Sequence, residues 1–267
     1  MSTRALCSLV LGVLCAGVAW SADITPPTPK PAPAAAAGGV GDLRVLTTLL
    51  ADTKQPITWL FTGDSITHGA KHTGGCRSYP ELFSERIRWE LGLTNKVRMR
   101  DVVINTGISG HRCPDLLGDW EWRVARFKPV VVLFNFGMND CTAGEKGLEN
   151  YRKQLTEIVE RIRAIPAIPV IQVPSPALKG DRAAALQAYC EVVRKVAAAK
   201  KVILVDHQAH FAAVAPEAVA LKKLMNDDLH PNGAGHAEMA NAVFLAMGLY
   251  DPQSPICQLG LPAPKRP

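Results

Sequence analysis

After Trp20 the chain has no apolar run long enough to cross a bilayer, which takes roughly 20 residues. No integral membrane partner is implied. There is no internal repeat, which argues against a repeat architecture. His207 and His210 have no Cys or Glu at ligand spacing, so no metal centre is expected. Charge of one sign is also scarce. Lys and Arg number 30 against 24 Asp and Glu, a formal net charge of +6. The basic residues alternate with Glu at helix-face spacing, as in Glu149/Lys153 and Glu157/Arg161. That pattern is a solvated face, and no nucleic-acid partner is expected. What remains is 267 residues, 48% of them hydrophobic, enough for one α/β domain with a sizeable core.

The ends read differently from the middle. Arg4, the apolar run Ala5 to Trp20, and small residues at Ala19 and Ser21 give residues 1–21 the character of a cleaved export signal, with an uncleaved anchor as the alternative. Leu14 before Cys15 makes a poor lipoprotein site. Residues 22–40 are a Pro/Ala-rich segment expected to be a disordered linker, and 260–267 a flexible tail. The domain is expected over 41–259. Export would end in a periplasm, at a cell surface or in the medium. It would leave Cys76, Cys113, Cys141, Cys190 and Cys257, an odd number. Two of the first three either bridge beside the site or stay as free thiols.

Inside the domain, short apolar β-branched runs alternate with amphipathic stretches. Strands are expected at Ile57–Thr62, Arg100–Asn105, Val130–Phe136, Pro169–Val173 and Val202–Asp206. Ser78-Tyr79-Pro80-Glu81 is a capping box that opens a helix toward Leu91. Leu117, Trp120, Val124 and Phe127 have helical spacing, as do Leu148, Tyr151, Leu155, Ile158 and Ile162. Another helix is expected over 181–199. Asn232 caps a last one from Gly233 to Met247, which Gly248 ends. Alternating β and α with right-handed crossovers gives a three-layer α/β/α sandwich. Ligands in such sheets bind outside the carboxyl ends of the strands.

Four short motifs fall there or just before a helix. They are Gly63-Asp64-Ser65-Ile66-Thr67, Asn105-Thr106-Gly107, Gly137-Met138-Asn139-Asp140 and Asp227-Asp228-Leu229-His230. Ser65 is the candidate nucleophile, which needs a base to take its proton. His230 is the candidate base, and Asp227 is placed to fix its tautomer. Pro231 keeps this pair in a loop. The Ser65 and Gly107 backbone N–H groups and the Asn139 amide are candidate oxyanion donors. The first motif lacks the second glycine of a G-x-S-x-G elbow, which argues against the α/β-hydrolase fold.

Ser65, Gly107, Asn139 and His230 match, block by block, the signature positions of the SGNH hydrolases, also called GDSL esterases/lipases. The run from Asp227 through His230-Pro231-Asn232 to Gly235-His236 resembles that family's last block. The resemblance covers about Ile57 to Leu249. It implies a flavodoxin-like sandwich around a five-stranded parallel sheet, a Ser65-His230-Asp227 triad and an oxyanion hole of Ser65, Gly107 and Asn139. Asp228 departs from the family, where glycine is common. It is expected to add negative charge beside His230 and to slow the enzyme at mildly acidic pH.

Other residues are open. His68, Lys71, His72 and Arg77 crowd the loop after Ser65, and His111 and Arg112 follow Gly107. They either line a polar, cationic cleft, with His68, His111 and Arg112 touching substrate, or are solvated loop charges. Trp120 fits a core stripe, and Trp122 is either a sugar platform or surface. The reading that follows is a secreted serine esterase without metal or organic cofactor. Its substrates would be small-molecule or carbohydrate esters of short acyl groups such as acetyl. The alternatives are a lysophospholipase or thioesterase, and a non-catalytic glycan-binding module of the same fold.

Overall fold

A computed structural model describes residues 39–69, 71–91 and 98–259. The expected leader at 1–21, nearly all of the 22–40 linker and the 260–267 tail lie outside the described residues.

Five strands form one sheet: β1 Thr58–Gly63, β2 Val102–Asn105, β3 Val131–Asn135, β4 Ile168–Val173 and β5 Ile203–Asp206. Their order is β2-β1-β3-β4-β5 and every pairing is parallel. This is the flavodoxin-like order. Trp59, Leu60 and Phe61 on β1 and Val131 to Phe134 on β3 are buried along their whole length, as apolar strands covered on both faces must be. Edge strand β2 exposes Val102 and Asn105.

The helices are α1 Val40–Ala51, α2 Ser65–His68, α3 Tyr79–Glu85, α4 Cys113–Gly118, α5 Trp120–Arg123, α6 Leu148–Ala164, α7 Gly180–Lys200, α8 His207–Val214, α9 Ala218–Lys223 and α10 Gly233–Met247. One layer holds α3, α8 and α10; the other holds α6 and α7, with α4 against α6. The capping box forms as read: the Ser78 N–H and Oγ–H both donate to Glu81 Oε2, at 2.7 and 2.6 Å. Asn232 Oδ1 accepts from the Gly235 N–H at 3.1 Å and starts α10, and Gly248 closes it with φ +69.

Two expectations change. The α3 helix does not run as one α-helix to Leu91 but widens into a π turn over Arg86–Glu90. The stripe Leu117, Trp120, Val124, Phe127 is not one helix either. It breaks into α4, α5 and a 3-10 turn at Ala125–Phe127. The break draws Arg123 inward. Its guanidinium is fully buried and donates to the carbonyls of Gly63 at 3.2 Å and Thr106 at 2.9 Å. It thereby ties the end of β1 to the loop after β2.

The register pairs Gly63 with Asn135 and Phe61 with Asn105, so β1, β2 and β3 end nearly level. The loops that follow them leave the sheet side by side.

Candidate active site

Gly63 ends β1 and the chain turns directly into α2. Asp64 caps that helix: its Oδ1 accepts from the Ile66 N–H at 2.9 Å. Ser65, in the first turn, has a backbone N–H with no intrahelical acceptor, aimed past the helix N-terminus. The side chain sits at the rim with Ser65 only 8% exposed, reachable but shielded.

His230 arrives from the opposite end of the chain, 165 positions away. A bridge between Met225 and Pro231 and a hydrogen bond from the Asn226 N–H to the His230 carbonyl, 2.8 Å, close a tight loop. Asp227 orders that loop from within. Its Oδ1 accepts from the N–H groups of Leu229 and His230, both at 2.8 Å. The same carboxylate lies 2.9 and 3.0 Å from His230 Nδ1. Burial pushes the Asp227 carboxyl up. The two backbone N–H groups and the His230 ring outweigh it and hold it down at about 2. The carboxylate is therefore ionised at any working pH. A carboxylate accepts only, so Nδ1 carries the ring proton and the Nε2 lone pair faces outward. His230 Nε2 lies 2.9 Å from Ser65 Oγ. Asp228 points away, its carboxylate 3.6 Å from Lys179 Nζ. The charge expected beside the imidazole is paired elsewhere.

The second loop sits against the first. The Ile108 N–H donates to the Gly63 carbonyl at 3.0 Å, and Asn105 Nδ2 to the Thr67 carbonyl at 2.7 Å. Gly107 requires a correction. Its N–H donates to Asn105 Oδ1 at 2.9 Å and is not free for an oxyanion. What the glycine supplies is closeness: a Cβ there would lie 2.5 Å from the His68 backbone nitrogen. Gly110, three residues on, stands in a turn with φ +83, closed by the His111 N–H to the Ile108 carbonyl at 3.2 Å. Its own N–H has no protein acceptor among the described residues. Asn139 follows β3 and donates one amide hydrogen to the His111 carbonyl at 3.1 Å. The second hydrogen of that amide is spare.

His68 Nδ1 is 3.1 Å from Ser109 Oγ. His111 Nδ1 is 3.1 Å from Arg123 Nη1, and a guanidinium only donates, so Nδ1 accepts. Arg112 is half exposed with its nearest carboxylate, Asp115, at 3.9 Å. Arg77 pairs with Glu85. Trp120 lies under the Arg161 guanidinium, 5.8 Å from its ring centroid, while Trp122 is exposed. All five cysteines of the domain are free thiols; only Cys76 is exposed. His207 binds Gln172 Oε1 at 2.8 Å and His210 binds Glu238 Oε2 at 2.7 Å, so the two rings serve separate buried contacts.

Two buried carboxyls and one ring contact are not visible in the sequence pattern. Asp64 and Asp140 are both buried behind the site. Burial, helped by Asp140, pushes Asp64 up to about 7 despite the Ile66 N–H. Burial raises Asp140 as well, although it accepts from the N–H groups of Cys113 and Gly137 at 3.0 Å each. The third is a contact: the His72 ring lies flat on His230, centroids 3.6 Å apart and planes 2° off parallel. His72, Asp227 and His230 offer ligand atoms within 4.8 Å of one another. Parallel stacked rings direct their lone pairs along separate planes, so one ion cannot take an in-plane bond from both without a ring turning out.

Residues 61–238 match the GDSL-like Lipase/Acylhydrolase family. An acetylxylan esterase of Geobacillus stearothermophilus is 30% identical over 209 residues, covering 71% of this chain and 93% of that one. A Mycoplasma pneumoniae protein of uncharacterized function is 35% identical over 111 residues; the match covers 40% of this chain and 12% of that longer one. Among solved structures, LAE5, an alpha/beta hydrolase enzyme from the metagenome of Lake Arreo, Spain, superposes with TM-score 0.60 at 25% identity, over 73% of this chain and 96% of its own. The chain belongs to the GDSL-like lipase/acylhydrolase family, and with it to the SGNH-type carboxylic ester hydrolases.

Proposed function

We propose that this chain is an exported serine esterase that removes short acyl groups such as acetyl from polar alcohols, carbohydrates foremost, through an acyl-enzyme on Ser65. The observation that carries it is the 2.9 Å contact between Ser65 Oγ and a His230 whose other nitrogen rests on an ionised Asp227. In the first step His230 Nε2 takes the Ser65 proton as Oγ bonds to the ester carbonyl carbon. Asp227 holds the imidazolium that results. The developing oxyanion is met by the N–H of Ser65, the spare Asn139 hydrogen and the free Gly110 N–H, in place of Gly107. His230 then gives its proton to the leaving alcohol, and the C–O bond of the ester breaks. Water repeats the sequence to release the acid and restore Ser65.

The substrate class rests on two supports. One is the polar rim of His68, Ser109, His111 and Arg112, which offers hydrogen bonds and charge where a lipid tail would need apolar cover. The other is the acetylxylan esterase activity named for the G. stearothermophilus relative. Export rests on the leader-like character of residues 1–21.

The test is a screen of p-nitrophenyl acetate, acetylated xylo-oligosaccharides, lysolipids and acyl thioesters against wild type and Ser65→Ala, with released acid as readout. Turnover of the acetyl esters that is lost in Ser65→Ala is expected. A preference for lysolipids or thioesters would overturn the substrate class. No turnover above Ser65→Ala on any of them would overturn the esterase.

A further inference from the structure

The stack of His72 on His230 has no counterpart in the mechanism above. His72 comes from the loop between α2 and α3, turned back over the site by Lys71, Gly74 and Gly75, all with positive φ. The turn closes with the Cys76 N–H donating to the Thr73 carbonyl at 3.1 Å. His72 Nδ1 reaches within 3.4 Å of Asp227 Oδ2, and its side chain is 19% exposed.

We propose that His72 is a positioning residue for the histidine base: its ring holds His230 in line between Ser65 and Asp227 and stabilises the imidazolium that forms as Ser65 gives up its proton. The inference rests on the reading of Ser65 and His230 just given.

The geometry argues it in three steps. First, a ring lying 3.6 Å from another across its whole face blocks rotation out of line, and it replaces water on that face. Second, the surroundings of His72 hold its ring toward the neutral form. The Asn226 amide nitrogen lies 3.3 Å from His72 Nδ1 and 3.5 Å from Asp227 Oδ2. The same Nδ1 also lies 3.4 Å from Asp227 Oδ2, so it faces an amide and a carboxylate at similar reach. The balance comes from the groups that face His72. Burial, then His230, and Lys71 lower its pKa, outweighing Asp227, which raises it. His236 of α10, whose own pKa burial drives down to about 4, lies within range of both rings and brings no positive charge near neutral pH. Third, the π face of a neutral ring attracts a cation. When His230 becomes imidazolium, the stack turns from a neutral contact into a cation–π contact. The gain appears only as charge develops, which is what lowers a barrier.

The experiment compares wild type, His72→Ala and His72→Phe on p-nitrophenyl acetate across pH, with Ser65→Ala as the blank. Phenylalanine keeps the flat face and drops the polar atoms. His72→Ala is expected to lower kcat roughly 3- to 30-fold with KM within about twofold. The acid limb of its kcat/KM profile should move to lower pH, because the imidazolium has lost its support. His72→Phe should return kcat to within about threefold of wild type and restore the acid limb. A loop residue with a merely structural role would move neither the limb nor its rescue. An unchanged kcat and acid limb in His72→Ala, or equal losses in the two variants, would overturn the inference while leaving the esterase intact. Should alanine unfold the loop, a more than tenfold loss of kcat in folded His72→Phe overturns it equally. No wild-type turnover above the blank would overturn the esterase reading, and this inference with it.

Discussion

Asp64 makes the buried side of the site measurable. Its carboxyl is 1% exposed, caps α2 through Ile66, and is pushed from an ordinary 3.8 to about 7. The folded state therefore binds a proton that the unfolded chain releases near pH 4. The stability this adds is fully present below the unfolded value and is lost as pH rises through about 7. At about 1.4 kcal/mol per pH unit the whole displacement is worth roughly 4 kcal/mol, of which roughly 3 falls between pH 5 and pH 8. Asp64→Asn keeps an oxygen for the Ile66 N–H and removes the titration. Asp140, raised by its own burial, slopes the same way in both proteins. The assay is urea unfolding of the two proteins at pH 5 and pH 8, followed by tryptophan fluorescence. Wild type should lose roughly 3 kcal/mol more than Asp64→Asn over that interval. The comparison of slopes removes any pH-independent cost of placing an amide in a carboxyl's pocket. Parallel slopes would show that Asp64 is ionised in the folded protein, and the account of its burial would be wrong.

Further outcomes follow from the same geometry. Ser65→Ala or His230→Ala should cost on the order of 10⁴–10⁶ in kcat on an acetyl ester, since each ends proton transfer from Oγ; a loss under about tenfold would contradict the triad. Asn139→Ala should cost about 10²–10³ in kcat with little change in KM, and full activity would remove Asn139 from the oxyanion hole. Gly107→Ala should destabilise the fold by about 1–3 kcal/mol, because its Cβ must displace backbone at His68. An unchanged Tm by calorimetry would refute that close approach.

The sheet was legible because its chemistry is local. Continuous apolar runs such as Val131 to Phe134 can hardly be anything but buried strands, and each strand was placed to within two residues at either end. The α10 cap and stop were legible for the same reason: Asn232 and Gly248 act on their own backbone. Helices α1 and α8 were not anticipated. Exposed Val40 and Val45 blur the apolar stripe of α1, and in α8 the polar His207 and His210 face inward to Gln172 and Glu238. Within the site, pattern suffices to choose Ser65 and His230 but not to choose between neighbours. Gly107 and Gly110 are both loop glycines, and only the Asn105 side chain decides which N–H is taken. The His72 stack brings together loops more than 150 positions apart, a distance no local pattern reports. Arg123 was likewise hidden, because a broken helix turned a surface-type residue inward.

The most direct check of the central claim is covalent. Incubation with a fluorophosphonate forms a bond from an activated serine oxygen to phosphorus and expels fluoride, and peptide mass spectrometry locates the adduct. The account predicts one phosphonyl group per chain, on Ser65, formed at least about 10³-fold more slowly in His230→Ala. Labelling of another residue, or an undiminished rate without His230, would contradict it.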